Sequence, residues 1–190
     1  MKRDLFRGRL VRLARDEPEE RAKVFARWGR DSEYIRLLDS APEALWSSRK
    51  IQAWIEKNLD GPVQDEVFFT FRRLADDRLI GFVGLADLDW VNGSGLAVIG
   101  IGERDCWGRG YGTDAMELIL QYGFLELNLH SISLCVFAYN PRAIRSYEKA
   151  GFQHEGRERE YLRRAGERAD LLWMGILRAD WLERQTEQGA

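Results

Sequence analysis

Apolar residues recur along this chain in two periods, and the switches between them outline its elements. Leu5 to Ala14 alternates, with Leu5, Arg7, Arg9, Val11 and Leu13 set against Phe6, Gly8, Leu10 and Arg12, which predicts a first strand. Glu17-Pro18-Glu19-Glu20 then starts a helix, because proline suits the first turn and the acids complement the helix dipole. Ala22, Phe25 and Ala26 carry it to about Trp28-Gly29, after which Asp31 to Asp39 shows no clear period. Ala41-Pro42-Glu43 begins a second predicted helix, with Ala44, Leu45, Ile51, Trp54 and Ile55 as its apolar stripe and Asn58-Leu59-Asp60-Gly61-Pro62 as its stop. Val67 to Leu74 and Leu79 to Leu88 read as strands joined through Asp76-Asp77, and Asn92-Gly93-Ser94-Gly95 turns into a strand from Leu96 to Gly102.

Past this point the period returns to that of a helix. Ala115, Leu118, Ile119, Tyr122 and Leu125 form one stripe, and a strand follows from Ser131 to Ala138. Asn140-Pro141 caps a further helix that Gly151 closes. Phe152 to Leu162 and Ala169 to Leu177 read as closing strands around the loop Arg163 to Glu167, and Arg178 to Ala190 as a short helix or polar tail. The expectation is one domain over residues 1–182 with a polar tail over 183–190. Ala169 to Leu177 is the expected exposed edge strand through which a homodimer could form.

Composition narrows the class. An apolar fraction of 45% and a net charge of −2 over 190 residues describe an ordinary soluble domain with no electrostatic footprint for nucleic acid. The apolar runs are too short to span a membrane and the N-terminus has no signal-peptide core, so the expected compartment is the cytosol. Two cysteines, Cys106 and Cys135, supply neither a disulfide framework nor a metal site. Cys106 has no histidine in local reach and reads as a passive thiol, Cys135 as a core residue, and His130 and His154 as structural.

The chemistry concentrates between the strand ending at Gly102 and the helix that follows. Gly108, Gly110 and Gly112 alternate at the helix start, so backbone N–H groups can approach a ligand without an intervening Cβ. A helix N-terminus collects unpaired N–H groups and the positive dipole end, which suits phosphate; Arg109 adds a cation. Gly-Tyr-Gly-Thr lacks the lysine of a Walker A loop. Gly110-x-Gly112-x-x-Ala115 fits the dinucleotide spacing, but the next strand ends Cys135-Val136-Phe137-Ala138 without the acid that such a site needs. A bare turn without a ligand is the remaining alternative.

Two segments together resemble a known family. Trp107-Gly108-Arg109-Gly110-Tyr111-Gly112-Thr113-Asp114-Ala115 is similar to the acetyl-coenzyme A loop of the GNAT acyltransferases, and Asn140 to Phe152 to their second conserved helix. The pair looks most like the branch that acetylates N-terminal alanines of ribosomal proteins. The resemblance implies an α/β fold: a mixed, mostly antiparallel sheet of about six or seven strands flanked by helices, with a splayed strand pair as the cofactor cleft. It implies two helices after the first strand and three antiparallel strands before the loop.

The same resemblance implies the site. Acetyl-CoA is the cosubstrate, with its pyrophosphate on Trp107, Gly108, Arg109, Gly110, Tyr111, Gly112 and Thr113. Its pantetheine arm would lie along Ile99 and Ile101 and beside Asn140 and Ala143. Tyr147 corresponds to the tyrosine that protonates the departing thiolate. Many relatives carry a glutamate base in the strand before the loop; here Leu96 stands there, and Glu103 is the nearest acid and the candidate base. Arg142 and Arg145 could meet the 3′-phosphate. The expected acceptor is a primary amine, on a protein N-terminus or a small molecule. Trp28, Trp46, Trp54 and Trp90 are candidates for an acceptor wall or for core anchors, and Asp87, Asp89 and Glu103 for the attraction of a cationic amine or for solvated turn residues. The missing glutamate also leaves room for a silent acetyl-CoA-binding sensor.

Overall fold

A computed structural model describes residues 4–42, 44–58 and 65–189. Seven strands form one sheet in the order β1-β2-β3-β4-β5-β7-β6. β1 (Val11–Ala14), β2 (Val67–Arg73), β3 (Leu79–Asp89) and β4 (Ser94–Ile101) pair antiparallel. β5 (Ser131–Phe137) joins β4 in parallel, and β7 (Glu167–Leu177) and β6 (Gln153–Arg164) complete the sheet antiparallel. The mixed, mostly antiparallel sheet is the one the sequence led us to expect.

Among the described residues six α-helices flank it. α1 (Pro18–Trp28), α2 (Ser32–Leu38) and α3 (Ser48–Asn58) lie between β1 and β2. α4 (Tyr111–Leu125), α5 (Pro141–Ala150) and α6 (Arg178–Gly189) follow the loop, β5 and β7 in turn. α4 is the core helix: Ala115, Met116, Ile119, Leu120 and Phe124 are sealed from solvent against Phe71, Val83, Leu85 and Ile132 of the sheet.

Four expectations are corrected. Three helices, not two, precede β2. The additional one, α2, is short, and its start signal is a single aspartate: the Asp31 carboxylate accepts the Glu33 and Tyr34 amides. α3 begins at Ser48 rather than Ala41, where the Ser47 hydroxyl accepts the Lys50 amide; Leu45 is exposed. Glu43 and the stop from Leu59 to Pro62 lie outside the described residues. β7 is not an edge: it lies between β5 and β6, and β6 carries the free edge. Cys135 faces away from the core side of β5 that Ile132, Leu134 and Val136 occupy, and is exposed. Of the two readings of the chain from Arg178, a short helix or a polar tail, the helix is the one present: α6 buries Trp181 against Phe124, ring centroids 5.4 Å apart.

Candidate active site

The parallel pairing of β4 with β5 lasts only from Ser94 to Leu96, opposite Ser131 to Ser133. Beyond it β4 continues to Ile101 and β5 to Phe137, so the two strands part. The Gly102 amide donates to the Ile80 carbonyl of β3. Strand groups alternate in direction, so the amides and carbonyls of Ile99 and Ile101 face the gap instead. The Trp107 indole donates 2.7 Å to the Ile101 carbonyl and so folds the loop onto the strand end.

The loop approaches this gap with open backbone. Gly110 is the N-cap of α4 at φ 86°, and Gly108 has φ 72° with free space where a Cβ would stand. Asp114 is buried in the first turn of α4, and its carboxylate accepts the amides of Arg9, Leu10 and Val11 at 2.8 to 3.0 Å. The aspartate thus binds the chain entering β1 to the helix that carries the loop. On the far wall, the Asn140 carboxamide accepts the Ala143 amide and caps α5, and the Thr113 and Ser146 hydroxyls lie 2.8 Å apart across the floor.

The resulting cleft has a volume of about 270 Å³. Ile99, Ile101, Trp107, Gly108, Gly110, Gly112, Thr113, Asn140, Ala143 and Tyr147 all line it. Arg109 and Tyr111 do not: Arg109 is exposed outside the lining, and Tyr111 packs its ring against the core. Sequence reasoning missed Tyr34, Leu37 and Leu38, the α2 side of the cleft, because α2 itself carries no periodic signal. It also missed Ser146 and Lys149, which share the α5 face of Arg142 and Arg145 at helical spacing.

Tyr147 is half-buried, its ring edge-on to Phe152. Burial, and then the nearby Cys135 thiol, push its phenol well above the ordinary value of 10.0. It is therefore a proton donor throughout the neutral range. Arg142 lies in the cleft with its guanidinium 3.9 Å from the centroid of the Trp107 ring, a cation–π contact that fixes both.

Glu103 is placed otherwise than expected. Its carboxylate is buried outside the cleft lining and is bound by Arg27, by Arg78 and, at 2.8 Å, by the Trp28 indole N–H. It joins α1, the start of β3 and the turn before the loop. Trp28 is likewise buried, stacked on Phe25, and so drops out of the acceptor wall. Asp89 is occupied by the turn it stabilises, accepting the Val91 and Asn92 amides. Cys106 is buried, and burial raises its thiol pKa, as suits a passive thiol.

A strand pair parted over a glycine-rich helix start, with a tyrosine on the opposite helix, defines a class. Residues 10–153 match the acetyltransferase (GNAT) domain, and the chain belongs to that family. Its cosubstrate is therefore acetyl-CoA, and the chain is an acyltransferase. An N-acetyltransferase of the SPβ prophage of Bacillus subtilis is 28% identical over 80% of this chain and 82% of its own. A spermidine N(1)-acetyltransferase of Vibrio cholerae is 34% identical over 58% of this chain and 63% of its own. A dodecameric structure of spermidine N-acetyltransferase from Vibrio cholerae superposes with a TM-score of 0.74 at 26% identity, covering 92% of this chain and 97% of that one.

Proposed function

We propose that this chain acetylates a primary amine by direct attack on the acetyl-CoA thioester, with Tyr147 as the acid. The observation that carries this reading is the cleft lining: among the described residues it contains Tyr147 but no Asp, Glu or His. The amine therefore arrives neutral, having lost its proton to water. The N–H groups of the loop and α4 start hold the pyrophosphate. The inward-facing amide and carbonyl of Ile99 and the amide of Ile101 pair with the pantetheine arm as an added strand would. Asn140 orients α5, and Arg142 and Arg145 face the 3′-phosphate.

With the thioester held against the amine, the nitrogen bonds to the carbonyl carbon and the C–S bond breaks. The phenol of Tyr147 gives its proton to the leaving sulfur and recovers one from the ammonium nitrogen through water, which balances the exchange. Positioning of the two reactants supplies a large part of the lowering of the barrier. Glu103 has no part in it; its two arginines and the Trp28 indole make it a brace.

The acceptor is a free amine of a small molecule or a chain terminus. Two names among the relatives point to polyamines, and the dodecameric neighbour supports assembly of this chain into a multimer. Calorimetric titration with acetyl-CoA, using a nicotinamide dinucleotide as control, tests the first step. We expect micromolar affinity for acetyl-CoA alone, and a Gly110→Asp variant that folds but does not bind. Tight binding without acetylation of any amine in a broad panel would instead make the chain a cofactor sensor.

A further inference from the structure

A second chamber lies behind α2 and has no assigned occupant. It measures about 400 Å³, the size of a small-ligand pocket, and lies between α1, α2, α3 and the outer face of β2 and β3. Tyr34 and Leu38 of α2 line both the chamber and the cofactor cleft, so the two spaces share one wall. That wall reaches the middle of β4, where a Cβ on Gly100 would stand 3.1 Å from the Tyr34 hydroxyl. The two spaces adjoin at Tyr34 and Leu38, so an occupant of the chamber that passes its amine between these side chains reaches the pantetheine track.

The chemistry of the chamber is aromatic. Phe25, Trp46, Trp54, Phe68 and Phe82 all line it. Its charged lining is one cation and one anion, Arg21 and Asp39. The Asp39 carboxylate accepts the Ala41 amide at 2.9 Å and serves its own turn. The Lys50 ammonium lies 4.1 Å from the centroid of the Trp46 ring, so another cation already occupies that rim. Arg164, from the β6–β7 hairpin, donates to the carbonyls of Asp39 at 2.6 Å and Ala41 at 3.0 Å and latches the roof.

A polyamine carries several positive charges and needs several carboxylates to receive them. This chamber offers a single carboxylate, Asp39, which is already committed to its own turn. An amine with one nitrogen on an aromatic body is what its surface complements.

We propose that this chamber is the acceptor site and that it selects a monoamine carried on an aromatic body over a polyamine. The proposal rests on the amine-acetyltransferase reading above and names its substrate class. The source of the aromatic amine is either a free arylalkylamine or a chain whose first residue is aromatic; both present the same nitrogen and ring.

Steady-state acetylation of 2-phenylethylamine, a short peptide beginning with phenylalanine, and spermidine separates these cases. We expect kcat/KM for one of the two aromatic amines to exceed that for spermidine by tenfold or more, and which of the two it is identifies the source. Trp54 is half-exposed at the chamber, so Trp54→Ala leaves the fold intact. That substitution should raise KM for the aromatic amine by about tenfold while KM for acetyl-CoA stays unchanged. Quenching of tryptophan fluorescence by 2-phenylethylamine in the presence of coenzyme A, lost in Trp54→Ala, gives a readout without turnover. Preference for spermidine, or an acceptor KM indifferent to Trp54, would overturn the substrate class and leave the acetyltransferase reading standing. Failure to acetylate any of the three while acetyl-CoA binds would overturn the substrate class, and failure across a broad panel of amines would overturn both.

Discussion

Two residues that looked alike as candidate catalysts are separated by what surrounds them. Tyr147 lines the cleft and has a phenol that burial keeps protonated; Glu103 has two arginines and an indole on its carboxylate. Tyr147→Phe should therefore lower kcat by about 10² or more with little change in melting temperature, the magnitude typical of a lost general acid. Glu103→Gln should do the opposite, lowering the melting temperature while kcat per folded molecule stays within a few-fold. The pH profile follows the same logic. With no carboxylate or imidazole among the described residues that line the cleft, and with the Tyr147 phenol raised above 10.0, kcat/KM should climb from pH 7 to 9 with deprotonation of the acceptor amine and show no descending limb there. A bell centred near neutrality would sink the direct-attack reading. At this scale the sequence was legible wherever a backbone demand shows in the residue type. Gly108 and Gly110 take positive φ, and Asn140 caps. It was silent about Glu103, because Arg27 and Arg78 lie 76 and 25 positions away and nothing local announces the pairing.

The least legible element is α2. It has seven residues and buries only Tyr34, so it leaves no stripe to read. Its position is set from outside. Arg104, in the turn before the loop, binds the Asp31 carboxylate and reaches Glu33 at 2.6 Å, and Tyr139 donates its hydroxyl to the Arg36 carbonyl at 2.6 Å. A wall shared by two ligand spaces is thus tied to the phosphate loop on one side and to the start of α5 on the other. Asp31 is the most testable of these ties. The Arg104 hydrogen bond, opposed by burial and helped by the two capping amides, holds its carboxyl below the ordinary 3.8. A carboxyl depressed in the folded state contributes stability above its unfolded pKa and loses it as pH falls through the folded value. Asp31→Ala should therefore cost about 1 kcal/mol at pH 7, where the cap is charged. The difference from wild type should shrink below pH 4 in paired thermal melts. An equal difference at pH 7 and pH 3 would show that the charge of Asp31 is not what holds α2.

Taken whole, the sheet is two blocks hinged on a short seam. β1 to β4 form one antiparallel run and β5, β7 and β6 another, and the seam between them is the pairing of Ser94–Leu96 with Ser131–Ser133. α4 spans the seam beneath, packing on β3 and β4 as well as β5, and it carries the loop at its N-terminus. The order of elements foretold this arrangement, because a helix between β4 and β5 places those strands in parallel. Sequence periods do not show where the parallel pairing stops, since Val98 to Ile101 is equally strand-like on either side of that point. The parting exposes strand edges on both blocks, and a ligand that pairs with Ile99 and Ile101 while touching α5 closes the gap that the seam leaves. Binding should then stabilise the whole molecule rather than the loop alone. Acetyl-CoA at one hundred times its Kd adds about 2.7 kcal/mol by mass action. For a chain of this length that corresponds to a rise in melting temperature of roughly 5–10 °C. Amide exchange should slow on β4 beyond Leu96 and on β5 beyond Ser133 together with the loop, and a nicotinamide dinucleotide should do neither. Protection confined to residues 107–113 would mean that the phosphates bind while the arm does not lie along β4.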